Sequence, residues 1–147
     1  MNDDAFELIG PWPADFTIAG VIALIRDRRG RILIQLRDND APRAPGVWGF
    51  FGGAVEEGET LPEAMRRELF EELGVDVSED ELAPKWRIYR PVTGFRMYMF
   101  EVSRTISPEE IRLGEGAGFA FIEPEDAGKF ALFDLTEILL AKLGEDV

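Results

Sequence analysis

Three kinds of apolar run punctuate this chain. From Thr17 to Ile25 the apolar positions are nearly continuous, which predicts a strand buried on both faces. Asp27-Arg28-Arg29-Gly30 reads as a turn, and Arg31 to Arg37 is expected to return as its hairpin partner. A different period follows. Met65, Leu69 and Leu73 recur at helical spacing and predict a core-facing stripe. Thr60 suits the N-cap of that helix, Pro62 its first turn, Glu63 a capping box and Gly74 the C′ stop. The third kind is short and β-rich. Trp48 to Phe51, Trp86 to Val92, Arg96 to Val102 and Phe119 to Ile122 read as strands, with a hairpin at Thr93-Gly94. Leu135 to Leu143 reads as a last helix, closed by Gly144.

Polar stretches separate these elements. Asp38 to Val47, with Pro42, Pro45 and Gly46, is a loop, and Ser78 to Leu82 is a short turn. Ser103 to Gly118 is a long loop in which Ser107-Pro108-Glu109-Glu110 starts one helical turn. Glu123 to Gly128 is a brief helix. Residues 1–15, stiffened by Pro11 and Pro13 around Trp12, read as an N-terminal leader, and 16–147 as a single domain. Strands, a helix, more strands and a second helix indicate a mixed α/β domain.

Composition narrows the chemistry. A chain of 147 residues suits one domain with a real core. Its longest apolar run, Ile18 to Ile25, falls far short of the roughly 20 residues that span a bilayer, so no membrane partner is expected. The N-terminus lacks a basic segment ahead of an apolar one, and a cytoplasmic protein is the expectation. Cysteine and histidine are both absent. That excludes disulfides, thiolate nucleophiles, imidazole acid–base chemistry and Cys or His metal sites. A metal held by oxygens alone points to Mg²⁺ or Mn²⁺, or to Ca²⁺ in a larger site. The net charge of −13 argues against a nucleic-acid polymer as partner. It also opposes a polyphosphate substrate, unless a carboxylate-bound metal reverses the charge locally.

The predicted helix carries the densest chemistry. Glu68, Glu71 and Glu72 fall at i, i+3 and i+4, on one arc beside the apolar stripe. This reads either as a solvated acidic face or as a cluster whose repulsion a cation relieves. Arg67 can pair with Glu63 or Glu71 one turn away. Gly52 and Gly53, just before the helix, let bare backbone approach a ligand closely.

Gly53, five residues, Glu59, seven residues, then Arg67-Glu68-Leu69-Phe70-Glu71-Glu72-Leu73-Gly74-Val75 resembles the signature of the Nudix hydrolases at each of its specified positions. The likeness extends from about Thr17 to Leu143. It implies a curved mixed β-sheet sandwiched between α-helices. The implied reaction is attack of water on a nucleoside diphosphate linked to a group X, with Mg²⁺ or Mn²⁺ as cofactor. By the same resemblance the carbonyl of Gly52, with Glu68, Glu71, Glu72 and Glu115, is expected to ligate metal. Glu68 is alternatively the general base. Arg67 orients a glutamate of the site, and Gly53, Glu59 and Gly74 are structural.

Arg37, Phe130 and Asp134 match positions where MutT-like members contact substrate. Asp134 is alternatively only the N-cap of the last helix. Trp48, Phe50 and Phe51 read as core or base-stacking residues, and Glu101 is a further metal candidate. The expected substrate is a small nucleotide, first a nucleoside triphosphate. Pro91 favours the alternative, ADP-ribose or a nucleotide sugar. A catalytically silent binding module of the same fold is the reading from another class, and an EF-hand-like Ca²⁺ module lacks its alternating ligand loop. A monomer or homodimer is expected.

Overall fold

The computed structural model describes residues 3–12, 18–38, 46–90, 94–114 and 116–145. In chain order these form β1 (Glu7–Ile9), β2 (Ile18–Leu24), β3 (Ile32–Leu36), β4 (Trp48–Gly49), β5 (Gly52–Ala54), α1 (Leu61–Leu73), β6 (Leu82–Arg90), β7 (Phe95–Val102), β8 (Gly118–Ile122) and α2 (Asp134–Glu145). A five-stranded mixed sheet runs β1-β6-β7-β2-β5, and a three-stranded one runs β4-β3-β8. Pro42, Pro45, Pro91, Thr93 and Glu115 lie outside the described residues.

The unbroken apolar run of β2 has its reason in two cores. Alternate side chains point to opposite faces of a strand. Val21 and Ala23 join Met65, Leu69 and Leu73 of α1, each at 0–1% exposure. Ile22 and Leu24 join Leu139, Leu140 and Leu143 of α2. Tyr98 and Phe100 of β7 divide from Met99 in the same way. The mixed sheet therefore lies between α1 and α2, as the resemblance implied. Burial of each α1 stripe residue is worth about 2 kcal/mol.

The hairpin expected from β2 to β3 forms only at its base. Arg26 bridges Ile32, and the Leu33 N–H donates to Ile25 O at 2.9 Å. Beyond that point both edges of β2 are taken. β7 pairs with it in parallel from Ile18↔Phe95 to Leu24↔Glu101, and β5 pairs antiparallel on the other side. So β3 turns into the second sheet. Residues 3–12, read from sequence as leader, pack on the domain. β1 pairs in parallel with β6, Phe6 is 3% exposed beside Tyr98 and Phe100, and Trp12 lies edge-on to Tyr98. The Trp86 indole N–H donates to Glu7 at 2.9 Å. α2 runs through Gly144 rather than stopping there. Gly144 lies inside the helix's last turn, where a Cβ would make only an ordinary contact with Pro124.

Asp27 holds the β2–β3 turn. Its carboxylate accepts the Arg29 and Arg31 N–H groups at 2.9 Å each and Arg31 Nε at 2.7 Å. Burial alone would raise its pKa. The hydrogen bonds from Arg31 and Arg29 together outweigh burial and hold it below the ordinary carboxylate range. A folded pKa below the unfolded one gives stability that is complete above the unfolded value and lost as pH falls through the folded one. Asp27→Asn is therefore expected to melt lower than the parent at pH 7. The gap should close progressively below about pH 4. Thermal melts of both proteins across that range would refute this if the gap stayed constant.

Candidate active site

α1 starts and stops where its sequence signals lie. Thr60 Oγ1 accepts the Glu63 N–H at 3.2 Å, and Glu63 returns the bond to the Thr60 N–H at 2.8 Å. Gly74 adopts φ 66°, and its N–H donates to Phe70 O at 3.0 Å. These ends fix where the acidic turn falls. The three carboxylates are not equivalent, however. Glu72 is 4% exposed, the side chain of Glu68 13% and that of Glu71 57%. The single arc expected from spacing is divided. Glu68 and Glu72 turn inward beside the apolar stripe, and Glu71 faces out.

The cation that sequence reasoning asked for is supplied in part by the chain itself. Arg67 grips Glu59 in a two-pronged pair, Nε to Oε2 at 2.7 Å and Nη2 to Oε1 at 3.0 Å. Its Nη1 donates to Glu68 at 2.9 Å and to Glu71 at 3.3 Å, and Nη2 also reaches Ala54 O at 3.0 Å. Glu63 is not among these partners, because the capping box already holds its carboxylate. The Arg67 hydrogen bonds keep Glu59 below the usual carboxylate range against the effect of burial, with help from the Glu56 N–H. Glu59 in turn, with Glu68, fixes Arg67 in its charged form.

Two glycines set the clearance. A Cβ at Gly53 would sit 2.4 Å from Glu68 Oε1, and one at Gly52 would sit 1.9 Å from Val21 O. Among the described residues β5 is the edge of its sheet, with no further strand on its outer side. At the C-terminal end of α1, the Arg112 N–H donates to Leu73 O and the Gly114 N–H to Glu72 O, both at 2.8 Å. Among the described residues no three acidic side chains already converge as a closed metal cage. One nitrogen of Arg67, Nη1, instead bridges Glu68 and Glu71. The donors are nevertheless hard oxygens only, and the glycine clearance brings backbone against Glu68. That chemistry fits a divalent ion of the Mg²⁺ class.

A second cluster forms at the end of β3. The Arg37 guanidinium lies 5.8 Å from the Phe133 ring centre. Phe130 stands edge-on to Trp48 at 5.2 Å. The Trp48 N–H donates to Ala131 O and the Phe133 N–H to Trp48 O, so this segment lines β4. Sequence reasoning singled out Phe130 and passed over Phe133, whose aromatic type beside Asp134 was the available signal. Asp134 is not the N-cap. The helix begins one residue earlier than expected, with Glu137 N–H bonded to Phe133 O, and the Asp134 carboxylate accepts the Leu135 N–H at 2.7 Å within the first turn. Phe51 is core at 1% exposure, while Trp48 and Phe50 are half-buried against the α2 core. Glu101 does not join the acidic turn, because Arg26 and Lys85 engage its carboxylate.

Known proteins share this arrangement. The sequence model of the NUDIX domain matches residues 17–145. The nucleoside triphosphatase NudI of Escherichia fergusonii is 30% identical over 134 residues, which cover 84% of this chain and 94% of that protein. The solution structure of the E. coli ORF135 protein superposes with a TM-score of 0.67 at 28% identity, covering 90% of this chain and 91% of the other. The MutT protein of Methanosarcina mazei Go1 superposes at 0.71 with 21% identity over 88% and 93% of the two chains, a likeness of fold. With the domain matched over nearly its whole length and the acidic helix, its arginine and its glycines in place, the chain belongs to the Nudix hydrolase family.

Proposed function

We propose that this Nudix pyrophosphohydrolase is a MutT-like enzyme. It cleaves a phosphoanhydride bond of nucleoside triphosphates with Mg²⁺ or Mn²⁺. The observation that carries the reading is the inward-turned pair Glu68 and Glu72, with Glu68 pinned between Arg67 and the bare backbone of Gly53. The E. fergusonii relative, a nucleoside triphosphatase matched over 94% of its length, supports the substrate class.

Glu71, Glu72 and the Gly52 carbonyl would hold the ion, which would neutralise the diphosphate and acidify water. Glu68 takes the proton of the attacking water. The water oxygen bonds to phosphorus, the bridging P–O bond breaks, and the leaving phosphate carries away the electron pair. Arg67 keeps Glu68 aimed, since positioning is most of what such a displacement asks of a protein. Arg37 meets the phosphate chain, Phe130 and Phe133 offer faces to the base, and Asp134 accepts a hydrogen bond from its edge.

The test is a panel of nucleoside triphosphates, ADP-ribose, nucleotide sugars and dinucleoside polyphosphates, each with Mg²⁺ and with Mn²⁺. Triphosphates are expected to turn over fastest. A preference for ADP-ribose would transfer the assignment to that class, and binding without turnover would make the chain a silent module. On the same panel Asp134→Asn should reorder the bases while the melting temperature moves by less than about 1 °C, because the amide oxygen of asparagine can accept the same Leu135 N–H. An unchanged ranking would leave Asp134 a purely structural residue.

A further inference from the structure

Residues 33, 35 and 37 share one face of β3 and its continuation, spaced about 6.7 Å apart. Leu33 enters the α1 core, and Arg37 reaches the Phe133 ring. Between them stands Gln35, only 7% exposed. Its cross-strand neighbours are Gly49 on β4 and Phe119 on β8. Among the described residues nothing hydrogen-bonds the Gln35 side chain, although a primary amide carries two donors and an acceptor oxygen. The carbon chain is buried, whereas the amide nitrogen and oxygen are not among the buried polar atoms left without a partner, so the amide keeps access to the surface. An apolar residue would suit the company of Leu33, Phe119 and Phe121 better. The local rule is broken at a place where breaking it points to a ligand.

The surroundings say which ligand. Gly116 lies against Gln35, close to residues that bond to Glu72 on one side and to the second sheet on the other. Gly114 is bonded to Glu72 O and Ala117 to Leu36 O, and a Cβ at Gly116 would lie 2.7 Å from Gln35 Nε2. Three residues span at most about 10 Å. The amide thus lies between the acidic turn of α1 and Arg37. A polyphosphate running from one to the other crosses it. We infer that Gln35 is a substrate-binding residue whose amide N–H donates to a non-bridging oxygen of the phosphate chain. The inference rests on the pyrophosphohydrolase reading given above. A neutral donor suits this place. It meets phosphate oxygens beside carboxylates that repel them, without adding a charge that competes with the metal.

Two near-isosteric variants test the inference. Gln35→Met keeps the volume and removes the donor. It should melt at or above the parent temperature and lose about tenfold or more in kcat/KM for nucleoside triphosphates with Mg²⁺, by the same factor for purine and pyrimidine substrates. Gln35→Glu faces the phosphate with a charge and should lose more. A Met variant within twofold of the parent, or a loss that follows a drop in melting temperature, overturns the inference. The Gln35 side-chain amide signal in ¹⁵N NMR gives an independent reading. It should shift when Mg²⁺ and a triphosphate analogue with a non-hydrolysable α,β bridge are added. A stationary signal on saturated protein overturns the inference as well. Absence of turnover by the parent on every nucleotide would count against the broader reading alone, and the NMR titration with the same analogue would still decide Gln35.

Discussion

Glu72→Gln should lower kcat by at least about 10²-fold, the scale of a lost electrostatic contribution at a metal-assisted centre. The same change should leave the metal-free protein as stable as the parent or more so. Glu72 is a carboxylate at 4% exposure, and neutralising it removes a charge held largely out of water. Added Mg²⁺ should raise the melting temperature of the parent, because an ion that binds only the folded chain stabilises it. The variant should respond much less. Glu71, with 57% of its side chain exposed, should show a smaller effect on replacement by Gln. Thermal melts with and without Mg²⁺, beside steady-state rates, check all of this. Full turnover in excess chelator would sink it.

The second large effect separates two adjacent glycines. A Cβ at Gly52 would overlap the backbone oxygen of Val21 at 1.9 Å, and neither strand can yield without breaking the β2–β5 pairing. Gly52→Ala is expected to cost about 3 kcal/mol or more of stability. A Cβ at Gly53 meets instead the far end of a side chain, the Glu68 carboxylate at 2.4–2.8 Å. That end can swing aside, but only by leaving Arg67. Gly53→Ala should therefore fold with a loss of about 1 kcal/mol and drop kcat by about 10²-fold. Urea denaturation and initial rates measured on both variants distinguish the two. Equal losses of stability would show that the Glu68 clearance has no separate role.

What could be read in advance was local. The ends of α1 follow from Thr60, Glu63 and Gly74, whose side chains and backbone act within a turn of themselves. The double burial of β2 follows from its composition. The partner of Arg67 was half legible. Glu71 lies one helical turn away, whereas Glu59 comes from the loop before the helix and is reached only once that loop has folded back. The second sheet was not legible, because β3 leaves β2 only after β7, far along the chain, has taken its edge. Gln35 escaped notice for a related reason. A glutamine in a short apolar strand looks like an outward-facing residue until β8 and Gly116 lie against it.

The parallel ladder between β2 and β7 bears on how the chain reaches its native state. α1 and the β6–β7 pair are built from neighbours in sequence and can form early. β2 must wait for β7, since Ile18 pairs with Phe95 and closing so long a loop is entropically costly. Among the described residues β5 pairs with β2 alone, across a shorter loop than the one between β2 and β7. Gly52 and Gly53 ride on β5, so the backbone that abuts Glu68 is placed by pairing within the sheet and not by the acidic helix itself. Recovery of activity after denaturation should accordingly follow formation of the sheet and lag the return of helical signal. A partly folded chain would carry the acidic helix with nothing built against it.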